Sequence, residues 1–230
     1  MKIILCVFIL LFSFQSFAKT ELHKPKLEHQ TFIYKKTENH IKYVLFSNND
    51  KVKYIKNQLK QHHLPIDFFI VPLIESSYQQ FATSKAKAKG YWQLIKKTAL
   101  RFGLTVNNRQ DQRTDFKKST HGAIQYLSYL YQLFNKDVYL ALASYNAGEQ
   151  RVLNAIKSNP NYQSIDDLNL PNETTEYVYR YQALVNLLDS ENTYQGDDEK
   201  SQSNESPIQK KPIQNSMLID FNQKNSMMVL

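Results

Sequence analysis

The stretch DFFIVPLIESSY, residues 67–78, carries the clearest structural and chemical signal in the chain. An acidic residue opens an apolar run that favours a buried helix, and the proline within it is tolerated in the first turn or two. Glu75 ends that run and is the only charged residue between Asp67 and Lys85. Apolar surroundings penalise an ionised carboxyl group and raise its pKa, which makes it a competent proton donor near neutral pH. Glu75 is therefore predicted to be a catalytic acid; the alternative is a glutamate that points to solvent at a helix end.

Helical periodicity continues on both sides of this stretch. Before it, a cap at Asn49 or Asp50 opens a helix that Pro65 ends. The other helices are predicted at Trp92 to Phe102, Ser119 to Phe134, Val138 to Tyr145 with Asp137 as its cap, Arg151 to Ser158, and from Pro171 and Asn172 onward. Because almost no segment has a convincing strand pattern, the predicted fold class is mainly α.

The N-terminal residues have the pattern of a signal peptide. The apolar stretch Ile3 to Phe14 is too short to span a bilayer comfortably, and small residues precede a cleavage site after Ala18. Residues 1–18 are therefore predicted to direct export to the periplasm or cell envelope, with an uncleaved anchor as the alternative. The only cysteine, Cys6, lacks the small preceding residue of a lipoprotein site, so no lipid anchor is expected.

Composition separates the remaining parts of the chain. Residues 19–48 are polar and basic and are predicted to be an N-terminal extension without assigned secondary structure, whereas residues 49–190 form the predicted catalytic domain. Residues 191–230 are rich in polar side chains and are predicted to be a disordered tail. With 42% hydrophobic residues, the chain as a whole contains enough apolar material for a folded core.

The net charge of +8 suits an anionic polymer, so a peripheral electrostatic association with the cell wall or a membrane is one expectation. Lysines that only increase solubility explain the charge equally well. Predicted export and the lack of a nucleic-acid-binding motif argue against nucleic acid as a partner. The six histidines are scattered or adjacent, and no phosphate loop is present, so neither a metal site nor a cofactor is expected.

Several ordered motifs resemble the catalytic signature of family 1 (SLT-type) lytic transglycosylases, and within that family the membrane-bound type D enzymes. The matching segments are Glu75-Ser76-Ser77-Tyr78, Ala82-Thr83-Ser84, Gly90-Tyr91-Trp92-Gln93-Leu94, Ala143-Ser144-Tyr145-Asn146-Ala147-Gly148, and Leu170-Pro171-Asn172-Glu173-Thr174 with Tyr177-Val178. The resemblance implies a lysozyme-like domain, of the α+β class with minimal strand, that has a groove for peptidoglycan glycan strands. It also implies non-hydrolytic cleavage of the β-1,4 bond between N-acetylmuramic acid and N-acetylglucosamine, which leaves 1,6-anhydromuropeptides.

Within that reaction, the resemblance implies that Glu75 acts first as the general acid and then as the base. It implies substrate-binding roles for Ser84, Gln93, Tyr145, Asn146, Glu173 and Trp92. Simpler interpretations stay open for some of these residues: Ser84 can cap a turn, Tyr145 can belong to the core, and Trp92 can be either core or a surface on which a sugar stacks. Asp111, Arg113 and Asp115 are expected to form a structural cluster of salt bridges and caps.

Two other functions remain as alternatives. A hydrolytic muramidase on the same fold would use water in place of the sugar's own C6 hydroxyl. Ordinary glycosidases use two carboxylates, and Glu75 is the only strongly marked one here, which favours the intramolecular reaction. The second alternative is a catalytically inactive protein that binds the wall or assists its assembly.

Overall fold

The computed structural model describes residues 20–198, with side chains described as far as Asp189. The helices are α1 (Lys24–Lys36), α2 (Glu38–Ser47), α3 (Asn49–Gln61), α4 (Val71–Ser76), α5 (Lys96–Arg101), α6 (Phe116–Leu133), α7 (Val138–Ala147), α8 (Glu149–Ser158) and α9 (Asn172–Asp198). Short 3₁₀ turns lie at Ile66–Ile70, Gln112–Thr114 and Ile165–Asp167. Within this part of the chain, extended pairing is limited to isolated β-bridges. The prediction of a mainly α fold is confirmed.

The centre of the fold is α7, which contacts α6, α8 and α9. Its residues from Leu140 to Ser144 are all buried, as expected for a helix that is apolar on every side. The carboxylate of Asp137 caps the helix by accepting a hydrogen bond from the backbone N–H of Leu140 at 2.9 Å. Asp115 caps α6 in the same way, through the N–H of Lys118 at 2.9 Å. The predicted cap of α7 is thus confirmed.

Residues 24–47, for which the sequence predicted no secondary structure, form α1 and α2. The first of these helices packs along α9, and it buries Tyr34 there. Ile41 and Val44 are the buried positions of α2. At the other end, α9 continues to Asp198, beyond the predicted start of the tail at residue 191. The predicted signal peptide and the tail after residue 198 lie outside the described residues.

The helix predicted from Trp92 to Phe102 is shorter than expected. Its first residues form a turn in which the N–H of Gln93 donates to the carbonyl of Gly90 at 3.2 Å. Gln93 has a positive φ of 44°, and Ile95 is extended, so helical geometry starts only at Lys96. No helix within residues 20–198 combines the length and the apolar character needed to cross a membrane.

Candidate active site

Glu75 lies in the last turn of α4, and the backbone that follows it is unusual. Ser77 and Tyr78 both have left-handed conformations, with φ of 49° and 61°. Consecutive non-glycine residues in this region carry strain that the surrounding structure must hold in place. Here the buried Tyr78 hydroxyl donates to the carbonyl of Phe69 at 2.7 Å, and the Ser76 hydroxyl donates to the carbonyl of Tyr91 at 2.8 Å. These bonds fix the end of α4 and with it the backbone of Glu75.

The side chain of Glu75 is half-buried and faces α7 and α9. Burial raises the pKa of Glu75 to about 7, against the opposing effects of the Tyr177 hydroxyl and the positive charge of Arg180. The neighbouring carboxylate of Glu173 adds to the increase. Although the Tyr177 hydroxyl is near enough to affect this pKa, its buried oxygen has no hydrogen-bond partner among the described residues. In this geometry the two groups are therefore neighbours and not a hydrogen-bonded pair.

Tyr145 approaches the same carboxyl group from α7. Its hydroxyl donates to the backbone carbonyl of Trp92 at 2.7 Å, and its ring stacks against Tyr126 with centroids 5.3 Å apart. Burial, together with the charge of Glu75, raises the pKa of Tyr145 well above its usual range. The phenol therefore stays protonated at neutral pH and acts as a fixed wall of the site.

The pKa of Glu75 makes the stability of the fold depend on pH. Because the folded-state pKa is raised, the folded protein binds more protons than the unfolded chain between about pH 4.5 and 7, so stability falls as pH rises through this window. Glu75→Gln is therefore expected to be more stable than the unmodified protein at pH 8, by about 3 kcal/mol, with the difference reduced at pH 5. Urea unfolding of both proteins at the two pH values measures this effect. An equal difference at both pH values would show that the carboxyl group has an ordinary pKa.

Two predicted substrate-binding residues belong to the loop that follows α4. The Ser84 hydroxyl accepts a hydrogen bond from the N–H of Ala88 at 3.0 Å, so it caps a turn, and no hydrogen bond to Glu75 is among its contacts. The side-chain amide nitrogen of Gln93 donates to the carbonyls of Ala82 and Gly90, at 3.1 and 2.8 Å. Among the described residues, no hydrogen bond to the Gln93 side-chain carbonyl is found, and the residue is partly buried.

Asn146 and Glu173 are both partly buried. Asn146 follows Tyr145 in the last turn of α7. Glu173 lies in the first turn of α9, close enough to influence Glu75. Their chemistry suits hydrogen bonding to a polar ligand, as the resemblance implied.

The structure corrects the assignment of Trp92 to substrate binding. Its side chain is 0% exposed, and its indole N–H donates to the Thr120 hydroxyl of α6 at 3.0 Å. A sugar has no access to either face of this ring. Trp92 is a core residue that anchors the loop to α6, and its carbonyl positions Tyr145.

Arg113 binds the loop that follows α4 through its side chain. Its guanidinium binds both carboxylate oxygens of Asp111, at 2.9 and 2.7 Å, and also donates to the carbonyls of Lys87 and Leu94, at 2.8 and 3.1 Å. The hydrogen bond from Arg113 lowers the pKa of Asp111 to about 2. This geometry agrees with the structural role expected for the cluster.

One functional candidate, Arg180, was missed in the sequence. It lies on the buried stripe of α9, one turn after Tyr177 and next to Tyr181. A charged residue within an otherwise apolar stripe was the available signal. Tyr177 itself was part of a quoted motif, but no role had been assigned to its hydroxyl.

Comparison with known proteins agrees with this geometry. Residues 53–168 match the family model described as the transglycosylase SLT domain. The chain is 36% identical over 144 residues to membrane-bound lytic murein transglycosylase D from two strains of Escherichia coli. That match covers 61% of this chain and 32% of the relative, so the chain spans about a third of the length of these curated relatives.

The fold also resembles a solved structure, the X-ray structure of an inactive mutant of the lytic transglycosylase Slt from Pseudomonas aeruginosa. The TM-score is 0.50 at 25% sequence identity, over 60% of this chain and 24% of that chain. The family model spans half of the chain and includes the segment that carries Glu75, and the chain therefore belongs to the transglycosylase SLT domain family.

Proposed function

We propose that the protein is a peptidoglycan lytic transglycosylase that cleaves the β-1,4 bond between N-acetylmuramic acid and N-acetylglucosamine. The observation that carries this proposal is the half-buried carboxyl group of Glu75, whose pKa is raised to about 7 in a site walled by Tyr145 and Tyr177. A general acid is most effective when its pKa lies near the working pH.

The proposed reaction uses this one group twice. Protonated Glu75 donates its proton to the glycosidic oxygen as the bond to the anomeric carbon breaks. The resulting carboxylate then takes the proton from the C6 hydroxyl of the same sugar, whose oxygen bonds to the anomeric carbon and closes the 1,6-anhydro ring. An intramolecular nucleophile has a high effective concentration, so no second base is needed to hold a water molecule.

The remaining residues are proposed to bind the glycan strand. The side-chain carbonyl of Gln93, which accepts no hydrogen bond from the described residues, and the amide of Asn146 suit the acetamido groups of the sugars. Glu173, close to Glu75, is proposed to bind sugar hydroxyls. Ser84 has its hydroxyl bonded to the backbone of Ala88, so its contribution would be to shape the loop.

The relatives support the choice of reaction and substrate class. Those from Escherichia coli are named as lytic murein transglycosylases. The Pseudomonas aeruginosa enzyme is described as inactive when a glutamate is replaced by glutamine. The same names favour the cell envelope as the location, in keeping with the proposed signal peptide at residues 1–18 and a catalytic domain over residues 49–190.

The proposed acid predicts how activity depends on pH. Because cleavage starts from protonated Glu75, kcat/KM for purified peptidoglycan is expected to fall about tenfold per pH unit above about pH 7. The loss of turbidity of a peptidoglycan suspension, recorded between about pH 5 and 9, measures this profile. Circular dichroism at each pH shows that the protein stays folded. Activity that stays constant to pH 9 in folded protein would contradict the assignment of Glu75 as the acid.

A further inference from the structure

Arg180 is a buried cation without an obvious counter-ion. Its side chain is 5% exposed, and among the described residues no carboxylate forms a salt bridge with it. Within residues 20–189, its only side-chain hydrogen bond runs from Nε to the backbone carbonyl of Glu176 in its own helix, at 3.4 Å. Burial of an arginine without a paired anion is costly, so the charge requires a compensating partner nearby.

That partner lies on the active-site side of α9. The guanidinium carbon is 5.7 Å from the ring centroid of Tyr177, within the range of a cation–π contact. The Tyr177 hydroxyl in turn lies beside Glu75, on α4, which packs against α9. Arg180 thus contacts the ring of Tyr177 and is close enough to Glu75 to act on its carboxyl group electrostatically.

The N-terminal helix α1 packs along α9 and brings a second group near Arg180. Tyr34, at the end of α1, is buried against α9, and its hydroxyl is close enough to Arg180 for the two to interact electrostatically. The side chain of Arg180 is thereby largely buried. A charge held in low-dielectric surroundings acts more strongly on its neighbours than one in water.

Few other ionisable groups face Glu75. From α9 these are Tyr177, Glu173 and Arg180, and from α7 it is Tyr145. The turn before α4 contributes Asp67, but that carboxyl group faces Asp189 and Lys56 instead. Among the described groups that act on the Glu75 carboxyl, Arg180 is the one that is cationic.

We propose that Arg180 is a positioning residue for Glu75: its largely buried charge, next to Tyr177, stabilises the carboxylate that forms once Glu75 has given up its proton. The effect of Arg180 on the Glu75 carboxyl group does not depend on which reaction the protein catalyses. Its role during catalysis rests on the proposed function. Both Arg180 and α1 lie outside the residues matched by the family model, which end at residue 168. Glu75 itself lies within the matched residues, so the proposed interaction joins the matched domain to a part of the chain that follows it.

The test is a titration of the Glu75 carboxyl group in the whole protein, by its side-chain ¹³C chemical shift, with Glu75→Gln for assignment. Arg180→Met removes the charge and keeps much of the side-chain volume, and Arg180→Lys keeps the charge. We expect the Glu75 midpoint to move upward by about one pH unit in Arg180→Met and to stay close to that of the unmodified protein in Arg180→Lys. Arg109→Met removes the same charge from an exposed position and should leave the midpoint unchanged.

Equal midpoints in folded Arg180→Met and unmodified protein would overturn the proposal. Should Arg180→Met not fold, Arg180→Gln gives the same comparison with a side chain that can keep a hydrogen bond to the backbone. In kinetics, the alkaline fall of kcat/KM is expected to move upward with the midpoint. An upward midpoint in a protein that releases no muropeptides would support the electrostatic role and contradict the proposed reaction.

Discussion

Glu75→Gln is expected to lower kcat for peptidoglycan cleavage by at least about a thousandfold, because one group supplies both proton transfers. Glutamine has nearly the same shape as glutamic acid, but it can neither donate an acidic proton nor accept one as a carboxylate. Soluble muropeptides released from purified peptidoglycan at about pH 6 measure the loss. The variant should remain folded, since the neutral amide fits a site where burial already disfavours the ionised carboxyl group.

Glu173→Gln is the matched control for this experiment. It makes the same chemical change beside the same site, on α9, but Glu173 is proposed to bind the substrate and to take no part in proton transfer. Its effect should be about tenfold or less and should fall mainly on KM. If the two variants lost kcat equally, or if Glu75→Gln kept more than a tenth of the activity, Glu75 would not be the sole acid.

The largest expected loss of stability comes from Gly90→Ala, which should lower the free energy of unfolding by about 3 kcal/mol. Gly90 has a φ of +77°, and a Cβ atom there would lie 2.0 Å from the backbone oxygen of Arg113. A backbone atom cannot move aside as a flexible side chain can, so the loop would have to separate from Arg113. Urea unfolding measures the change.

Gly103→Ala is the control that separates backbone strain at a positive φ from the steric clash of the added Cβ atom. Gly103 has a similar φ of +84°, but nothing lies within 4 Å of the added Cβ. Its substitution should therefore cost only the backbone strain of about 1 kcal/mol. Gly90→Ala should also reduce activity, because the loop that moves carries Gln93. Equal losses of stability in the two variants would show that Arg113 does not hold the loop at Gly90.

The sequence predicted those elements whose signals are local. The start of α7 could be predicted from Asp137, because a capping carboxylate accepts a hydrogen bond from a backbone N–H only a few residues further along the chain. Glu75 could be predicted because the apolar run that desolvates it is contiguous in the chain. By contrast, α1 depends on its contact with α9 for burial of Tyr34, and a contact between distant segments leaves no local pattern.

The same distinction explains the differences at the site. Trp92 was interpreted as core or as a sugar-stacking residue because the sequence does not show which way a ring in a turn points. Its bond to Thr120 of α6 decides the question. The helix predicted from Trp92 starts later in the structure, because Gln93 has a positive φ. Its turn is held by side-chain hydrogen bonds to the carbonyls of Ala82 and Gly90, which the sequence does not show. Arg180 was missed because its neighbours come from α1 and α4.

The central claim is that Glu75 drives a non-hydrolytic cleavage, and the masses of the released muropeptides test it most directly. Purified peptidoglycan would be incubated with the protein and, in parallel, with Glu75→Gln. The account predicts products with a 1,6-anhydro end, lighter by one water than their hydrolytic counterparts, from the unmodified protein alone. Products with a free reducing end would instead identify a hydrolytic muramidase, and the absence of any product from folded protein would contradict the enzymatic function.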